Sequence, residues 1–376
     1  MKKKWLIGIG LLSLILILVT VSNLLFQTKL EKLSEVDKEM VQDLNTLNTK
    51  LKDEELWPGF NLDEYPLIMI NRTGVLNTYY AVNFKNTNKI GAKNINLELL
   101  DETNLTLSRY NFLYPSVIPL NFSFGNFSTT GSNRIIDQNK PVFYLKYDKT
   151  NFEKYPPSNQ LIIFLAHEAF HYYHQTNWTD GNPNIDTLNK EYLSLIGLSY
   201  KILDDLNQPN LSTKETLELL QKYTVVSKEK ENLNKDYFQD ESKKEMIEST
   251  ASYVGRKAGK LVGKEYNILE FENGGNPKFY EVFTTMSQGE FGTDFITDFS
   301  LYNTGNVLAN SLDQIDSELW KKELNNQTKE QPIFFSDLID LYLENNPVQK
   351  VDLNQIKSEY DYSDIVNTSE KFDFSK

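Results

Sequence analysis

The three histidines of the chain all lie in one short stretch, at positions 167, 171 and 174. His167 and His171 are four residues apart, so in a helix they lie on one face and can present two imidazoles to one ion. Glu168, beside them, completes an H-E-x-x-H pattern. Two imidazoles and a carboxylate suit Zn²⁺, and a catalytic zinc site leaves its fourth position to water. Bound zinc lowers the pKa of that water to about 7, so Glu168 is expected to act as the general base.

A two-histidine site needs a third protein ligand, and the chain has no cysteine to supply it. His174 lies about 10 Å beyond His167 along the same helix, so an unbent helix does not bring both to one ion. A carboxylate is therefore expected, and Glu248 is the preferred one. It precedes a series of small residues that recur every four positions: Ala251, Gly255, Gly259 and Gly263.

Small residues at every fourth position let one helix approach another closely, which would bring the Glu248 carboxylate to the metal. The alternative is that the glycines only weaken the end of this helix. Glu245 is the rival ligand, followed by Asp240. Hydrolysis also needs a hydrogen-bond donor for the developing oxyanion. Because the histidines are already assigned, the tyrosine hydroxyls of Tyr253 and Tyr302 are the candidates.

The chain is acidic, with a net charge of −13 over 376 residues. Such a charge repels nucleic acid and anionic lipid, so neither is expected to bind. Three lysines precede the apolar run Trp5–Phe26, which covers the ~20 residues that a helix needs to cross a bilayer. We predict a membrane anchor over 1–28, in preference to a cleaved signal peptide that would make the protein secreted. The rest of the chain would then lie outside the cytoplasm.

Residues 29–56 contain neither glycine nor proline and predict a helix. Its leucines, at heptad spacing, fit a coiled-coil stalk that would give a homodimer through 30–51, or equally an amphipathic helix packed on the domain.

Residues 57–376 are expected to form one domain of the α+β class, β-rich over 57–150 and helical over 151–345, with a polar tail over 346–376. Strands are predicted at five places: Pro66–Asn71, Val75–Phe84, Asn94–Leu100, Ser116–Phe122 and Pro141–Tyr147. Helices are predicted after the metal-binding helix: Ile185–Leu206, Thr213–Lys235, Glu241–Lys260, Gly305–Leu324 and Ile333–Leu343. Pro141–Tyr147 is a candidate edge strand for pairing with an extended peptide.

The phrase His167–Tyr173, followed by a Glu-x-x-Ala-x-Tyr phrase that Glu248 opens, resembles the gluzincin-type zinc metallopeptidases. Within them it is similar to a largely unassigned group of bacterial gluzincin-like proteins. Ser249 stands where that group usually has glycine, and Tyr302–Gly305 is similar to a helix late in the group. The resemblance covers roughly 57–345 and implies a zincin-like fold, with a substrate cleft between the sheet edge and the metal-binding helix.

These residues together predict a membrane-anchored, extracytoplasmic zinc metallopeptidase that holds one Zn²⁺ and hydrolyses peptides or proteins. Two alternatives stay open: a zincin-fold surface binding or sensory module without hydrolysis, and an amidase on cell-wall peptide crosslinks. Residues 180–191 partly match a calcium-binding loop, but the glycine expected at its sixth position is absent.

Overall fold

The computed structural model describes residues 2–25, 28–74, 77–84, 91–100, 104–112, 114, 117–129, 141–271 and 274–373, and part of the side chains within 2–25. The chain divides into two compact units. The first comprises Met1–Tyr172 and Lys257–Lys264, and the second comprises Tyr173–Arg256 and Glu265–Lys376. The class is α+β, as predicted.

The first unit is built on a six-stranded mixed sheet with the order β3-β4-β2-β1-β6-β5. β1 and β6 pair in parallel, and the other neighbours are antiparallel. The strands are β1 (Leu67–Asn71), β2 (Thr78–Val82), β3 (Ala92–Asn94), β4 (Leu107–Tyr110), β5 (Phe127–Thr129) and β6 (Phe143–Tyr147). Every residue of β1 and β6 is buried, which agrees with their mostly apolar sequences, and Asn71 and Lys146 are the polar exceptions.

The predicted strands at β1, β2 and β6 are confirmed, although residues 75 and 76 of the second lie outside the described part of the chain. The predicted strand Ser116–Phe122 is wrong: residues 118–122 form a short 3-10 turn that contains Pro119, and proline cannot donate to a strand ladder. The prediction Asn94–Leu100 meets β3 only at Asn94. Because β6 lies between β1 and β5, it is not the edge strand that the sequence indicated.

Residues 29–56 fold as a turn over Leu30–Lys32 followed by α2 (Glu35–Lys50). Met40, Leu44 and Leu47 are at most 1% exposed within the single chain, which agrees with the packing alternative. Asp37 fixes α2 to the sheet, since one carboxylate oxygen accepts hydrogen bonds from the Asn71 side chain and the Tyr147 hydroxyl, both at 2.7 Å. The homodimer through 30–51 stays a prediction.

The predicted amino-terminal transmembrane helix is wrong. A membrane-spanning helix needs ~20 consecutive apolar residues. The structure has a helix here, α1 (Lys2–Leu25). Across all the residues that the structure describes, however, no helix is both long and apolar enough to cross a bilayer.

The second unit is helical. After α3 (Leu161–Tyr173), which begins in the first unit, the described helices are α4 (Lys190–Leu206), α5 (Thr213–Leu233), α6 (Lys235–Leu261), α7 (Phe279–Ser287), α8 (Ser300–Asp316), α9 (Leu319–Leu324), α10 (Phe335–Asn345), α11 (Leu353–Glu359) and α12 (Tyr362–Ser369). The last five residues of α6 belong to the first unit. All five predicted helices are present, although α8 and α9 divide what the sequence predicts as one.

The polar tail contains two packed helices, α11 and α12, within residues 346–373, the part of it that the structure describes. Ile356 of α11 and Ile365 of α12 are fully buried. A Cβ added to Gly197 of α4 would lie 2.8 Å from a methyl carbon of Ile365, so the glycine allows α12 to pack closely. Lys190 donates to the carbonyl of Ser369 at 3.1 Å. Phe372 is buried as well, with its ring 4.8 Å from that of Phe283, so these apolar side chains anchor an otherwise polar segment.

Candidate metal centre

Helix α3, which carries His167 and His171, is positioned by its apolar face. Leu165, Ala166 and Ala169 are fully buried, and so is Phe170, whose ring lies 5.3 Å from that of Trp57 and 5.2 Å from that of Phe60. Aromatic contacts of this kind orient as well as bury a side chain. Burial of these four positions leaves the residues between them, including the two histidines, on the half-buried side of the helix.

His167 and His171 converge on one point. Their Nε2 atoms are 3.0 Å apart, their ring centroids are 4.7 Å apart, and the ring planes cross at 80°. Zinc–nitrogen bonds of about 2.0–2.1 Å in a tetrahedron place two nitrogen ligands about 3.3 Å apart. The observed separation is close to that spacing, so the imidazole pair fits a shared ion.

Glu248 completes the group. One ligand atom from each of His167, His171 and Glu248 lies within 4.8 Å of the other two, and all three residues are half-buried. Elsewhere among the described residues, no other group of three or more such side chains converges in this way. Two imidazoles and one carboxylate are one of the sets of protein ligands found in catalytic zinc sites.

The small-residue series on α6 has two different roles. A Cβ on Gly259 would lie 2.7 Å from Ile163 of α3, so this glycine permits the close approach of the two helices that the spacing predicts. Gly263 instead lies beyond the end of α6 with φ +75°, a conformation that favours glycine and stops the helix. Ala251 is fully buried.

The rival ligands lie elsewhere. Glu245 accepts a hydrogen bond from the Thr304 hydroxyl at 2.5 Å, and its burial raises its pKa to about 7. The Asp240 carboxylate lies 3.5 Å from the Lys243 amine. His174 lies with Nε2 2.8 Å from Oδ1 of Asn325, and burial lowers its pKa. None of the three belongs to the converging group.

The two tyrosines predicted to stabilise an oxyanion differ in their surroundings. The Tyr253 hydroxyl donates to Asp313 at 2.6 Å, and burial together with this carboxylate raises its pKa above its ordinary value. Asp313 also accepts from the Trp320 indole at 2.9 Å and lies 3.0 Å from the Lys321 amine. Tyr253 is therefore part of a buried polar network. Tyr302 is half-buried on α8, and its role stays a prediction.

Helix α8 supplies contacts that sequence reasoning missed. Asn306 donates to the carbonyl of Ser249 at 3.1 Å, and Gly305 packs so tightly that an added Cβ would lie 2.1 Å from the Ser249 hydroxyl. With the bond from Thr304 to Glu245, three successive residues of α8 hold α6 on both sides of Glu248. The Thr-Gly-Asn run in the sequence could have indicated these contacts, because a glycine within a helix often marks the close approach of a second helix.

Comparison with protein-family models, with curated proteins and with solved structures finds no match for this chain. The resemblance to gluzincin-type metallopeptidases therefore stays a prediction from the two motifs. The geometric observation is the convergence of His167, His171 and Glu248, which belong to two different helices.

Proposed function

We propose that the chain is a zinc metallopeptidase that hydrolyses peptide bonds in peptides or proteins. The single observation that supports this most is the convergence of two imidazoles and one carboxylate. A donor set of this composition leaves a coordination position for water, whereas structural zinc sites fill all four positions with protein ligands. His167, His171 and Glu248 would hold the ion.

Bound zinc would supply a water of lowered pKa and a Lewis acid for the substrate carbonyl. Glu168 follows His167 directly on α3 and is half-buried. Its carboxylate would take the proton of the attacking water and deliver it to the leaving amine, so one side chain acts as base and then as acid. A neutral amide at this position could accept no proton, which makes Glu168→Gln the sharpest test.

The test uses the full chain loaded with zinc, a mixed peptide library and mass-spectrometric detection of the products. Cleavage by the wild type that is absent from Glu168→Gln, at equal zinc content, is the expected result. Loss of activity of about 10²–10⁴-fold is typical when a general base is removed. Equal cleavage by both proteins would disprove the mechanism. A folded, zinc-replete wild type that cuts nothing would instead favour a binding module.

A second measurement tests the ligand assignment. Glu248→Gln should bind zinc much more weakly, whereas Glu245→Gln should bind it as the wild type does, because only the first residue belongs to the converging group. The two variants make the same chemical change one helical turn apart on α6. The reverse result would assign the ligand to Glu245.

A further inference from the structure

Gln175 is a buried polar residue directly after the metal-binding helix. α3 ends at Tyr173, and Gln175 begins a 3-10 turn that reaches Asn177. Its side chain is 6% exposed, and its amide Nε2 donates two hydrogen bonds to α6. One goes to the carbonyl of Ile247 at 3.0 Å and the other to the hydroxyl of Thr250 at 2.7 Å. Gln175, Ile247 and Thr250 all belong to the second unit.

The two acceptors lie on either side of Glu248 in the sequence. The Thr250 hydroxyl donates its own proton to the carbonyl of Met246 at 2.7 Å, so its oxygen is free to accept from Gln175. A hydroxyl has one proton and two lone pairs, and the direction of both bonds is therefore set. The amide of Gln175 thus holds the helical turn that carries the candidate ligand at two points.

The same residue is also close to a histidine ligand along the chain. His171 lies four residues before Gln175, separated from it by the last two residues of α3 and His174. Hydrogen bonds from Gln175 to Ile247 and Thr250 consequently connect the chain that leaves His171 with the turn that contains Glu248. Partners of this kind, which orient ligands without touching the metal, typically change metal affinity by about 10–100-fold when they are removed.

We propose that Gln175 is a positioning residue that sets Glu248 against His167 and His171 for metal binding. The proposal rests on the proposed zinc site. We assign Gln175 no direct contact with the metal, because its amide Nε2 donates to Ile247 and Thr250 of α6. Its removal should therefore weaken zinc binding without changing the number of ligands.

Gln160 provides a matched control. It precedes the other end of α3, is also buried at 8% exposure, and its amide Nε2 donates to the carbonyl of Lys154 at 3.1 Å. Both Gln160 and Gln175 are thus buried glutamines that flank the same helix and donate to backbone oxygen. Replacement of each by Met keeps the length of the side chain and removes its hydrogen bonds.

The experiment measures the zinc dissociation constant of the full chain by competition with a chromophoric chelator, and the thermal midpoint of the metal-free protein. We expect Gln175→Met to weaken zinc binding about 10–100-fold. Gln160→Met should bind zinc as the wild type does, although the loss of a buried hydrogen bond lowers the thermal midpoint of both variants. Equal zinc affinities of the two variants would overturn the proposal.

Thr250 gives an independent test if Gln175→Met does not fold. Thr250→Val removes the hydroxyl that accepts from Gln175 and keeps the shape of the side chain, so it should weaken zinc binding. Thr250→Ser keeps the hydroxyl and should bind zinc as the wild type does. Zinc binding is measured without substrate, so a protein that binds zinc but hydrolyses nothing would still test Gln175. If variants that lack His167, His171 or Glu248 bound zinc as the wild type does, both proposals would be overturned.

Discussion

At the scale of single residues, Glu245 and Glu248 show how position decides the chemistry of a carboxylate. They lie one turn apart on α6. Glu248 is half-buried and faces two imidazoles, which suits an ionised metal ligand. Glu245 is buried and receives one neutral hydrogen bond, from Thr304. The buried ion pair between Lys230 and Glu241, at 2.7 Å, acts on the pKa of Glu245 in two opposite directions, because Glu241 raises it and Lys230 lowers it.

This environment predicts a pH-dependent stability. Burial raises the pKa of Glu245 from 4.5 to about 7, against the opposing hydrogen bond from Thr304. The folded chain therefore binds this proton more tightly than the unfolded chain does. The stability that this proton contributes to the folded chain is fully present below the pKa of Glu245 in the unfolded chain. It is lost as the pH rises through about 7, the pKa in the folded chain. The full effect is on the order of 3 kcal/mol.

Glu245→Gln keeps an acceptor for Thr304 and carries no charge, so its free energy of unfolding should fall less between about pH 5 and about pH 8. Denaturant unfolding of the metal-free protein measures this. Burial also raises the pKa of Asp204 to about 6. Its contribution to the pH dependence is the same in both proteins, so it cancels when their free energies of unfolding are compared. Glu330→Gln, at an exposed position, is the control. Parallel pH profiles of wild type and Glu245→Gln would contradict the prediction.

Sequence reasoning selected all three residues of the converging group from patterns within single helices. His167 and His171 follow from the helical period alone, and Glu248 from the small residues that follow it. It could not place Tyr253, because the partner that engages its hydroxyl, Asp313, is sixty residues away on α8. It also left Gln175 unnoticed, since its two acceptors on α6 are defined only by the fold.

At the scale of elements, α8 fixes the turn of α6 that contains Glu248. Ser249 is fully buried, and its hydroxyl has no hydrogen-bond partner in the described structure. It lies against Gly305, where an added Cβ would be 2.6 Å from the Ser249 Cβ and 2.7 Å from the ring of Phe335. Neither neighbour is the end of a long flexible side chain, so a larger residue at position 305 must displace a helix.

We therefore expect Gly305→Ala to destabilise the protein and to weaken zinc binding. Overpacking costs about 1–3 kcal/mol, and replacement of a helical glycine by alanine returns about 1 kcal/mol. The net loss should be up to about 2 kcal/mol in denaturant unfolding. Asn310→Ala, at an exposed position of α8, controls for the altered helix propensity.

A second substitution tests the reason for that loss. Ser249→Gly removes the hydroxyl and the Cβ that an alanine at position 305 would meet, while the Phe335 ring remains, so it should restore part of the stability in the double variant. Glycine is also the residue that the resembling group usually has at this place. Additive losses in the double variant would show that the contact between Ser249 and Gly305 is not the cause.

The elements themselves differ in how far their sequence predicts them. The apolar spacing predicts α4, α5, α6, α8 with α9, and α10, but it does not predict α7, α11 and α12. It also misses the strands β4 and β5, which have only four and three residues. A strand this short shows too little alternation to be recognised. Its conformation is set by the neighbour with which it pairs, as β5 pairs with β6.

At the scale of the whole molecule, the net charge of −13 is the property that bears on the choice of substrate. A charge of this size produces a field that attracts cations and concentrates them near the protein. A peptide substrate that carries lysines should therefore associate faster and bind more tightly than the same peptide with acetylated lysines. Acetylation removes the charge and leaves the backbone that is cut unchanged.

This preference should depend on salt, because the Debye length falls from about 10 Å at 0.1 M to about 3 Å at 1 M ionic strength. We expect kcat/KM for the lysine peptide to exceed that for its acetylated form at low salt, and the ratio to approach one at high salt. Binding of both peptides to Glu168→Gln, measured by fluorescence anisotropy, separates affinity from catalysis. A ratio that stays constant with salt would indicate that a short-range pocket recognises lysine. A ratio of one throughout would mean that the acidic field has no part in substrate selection.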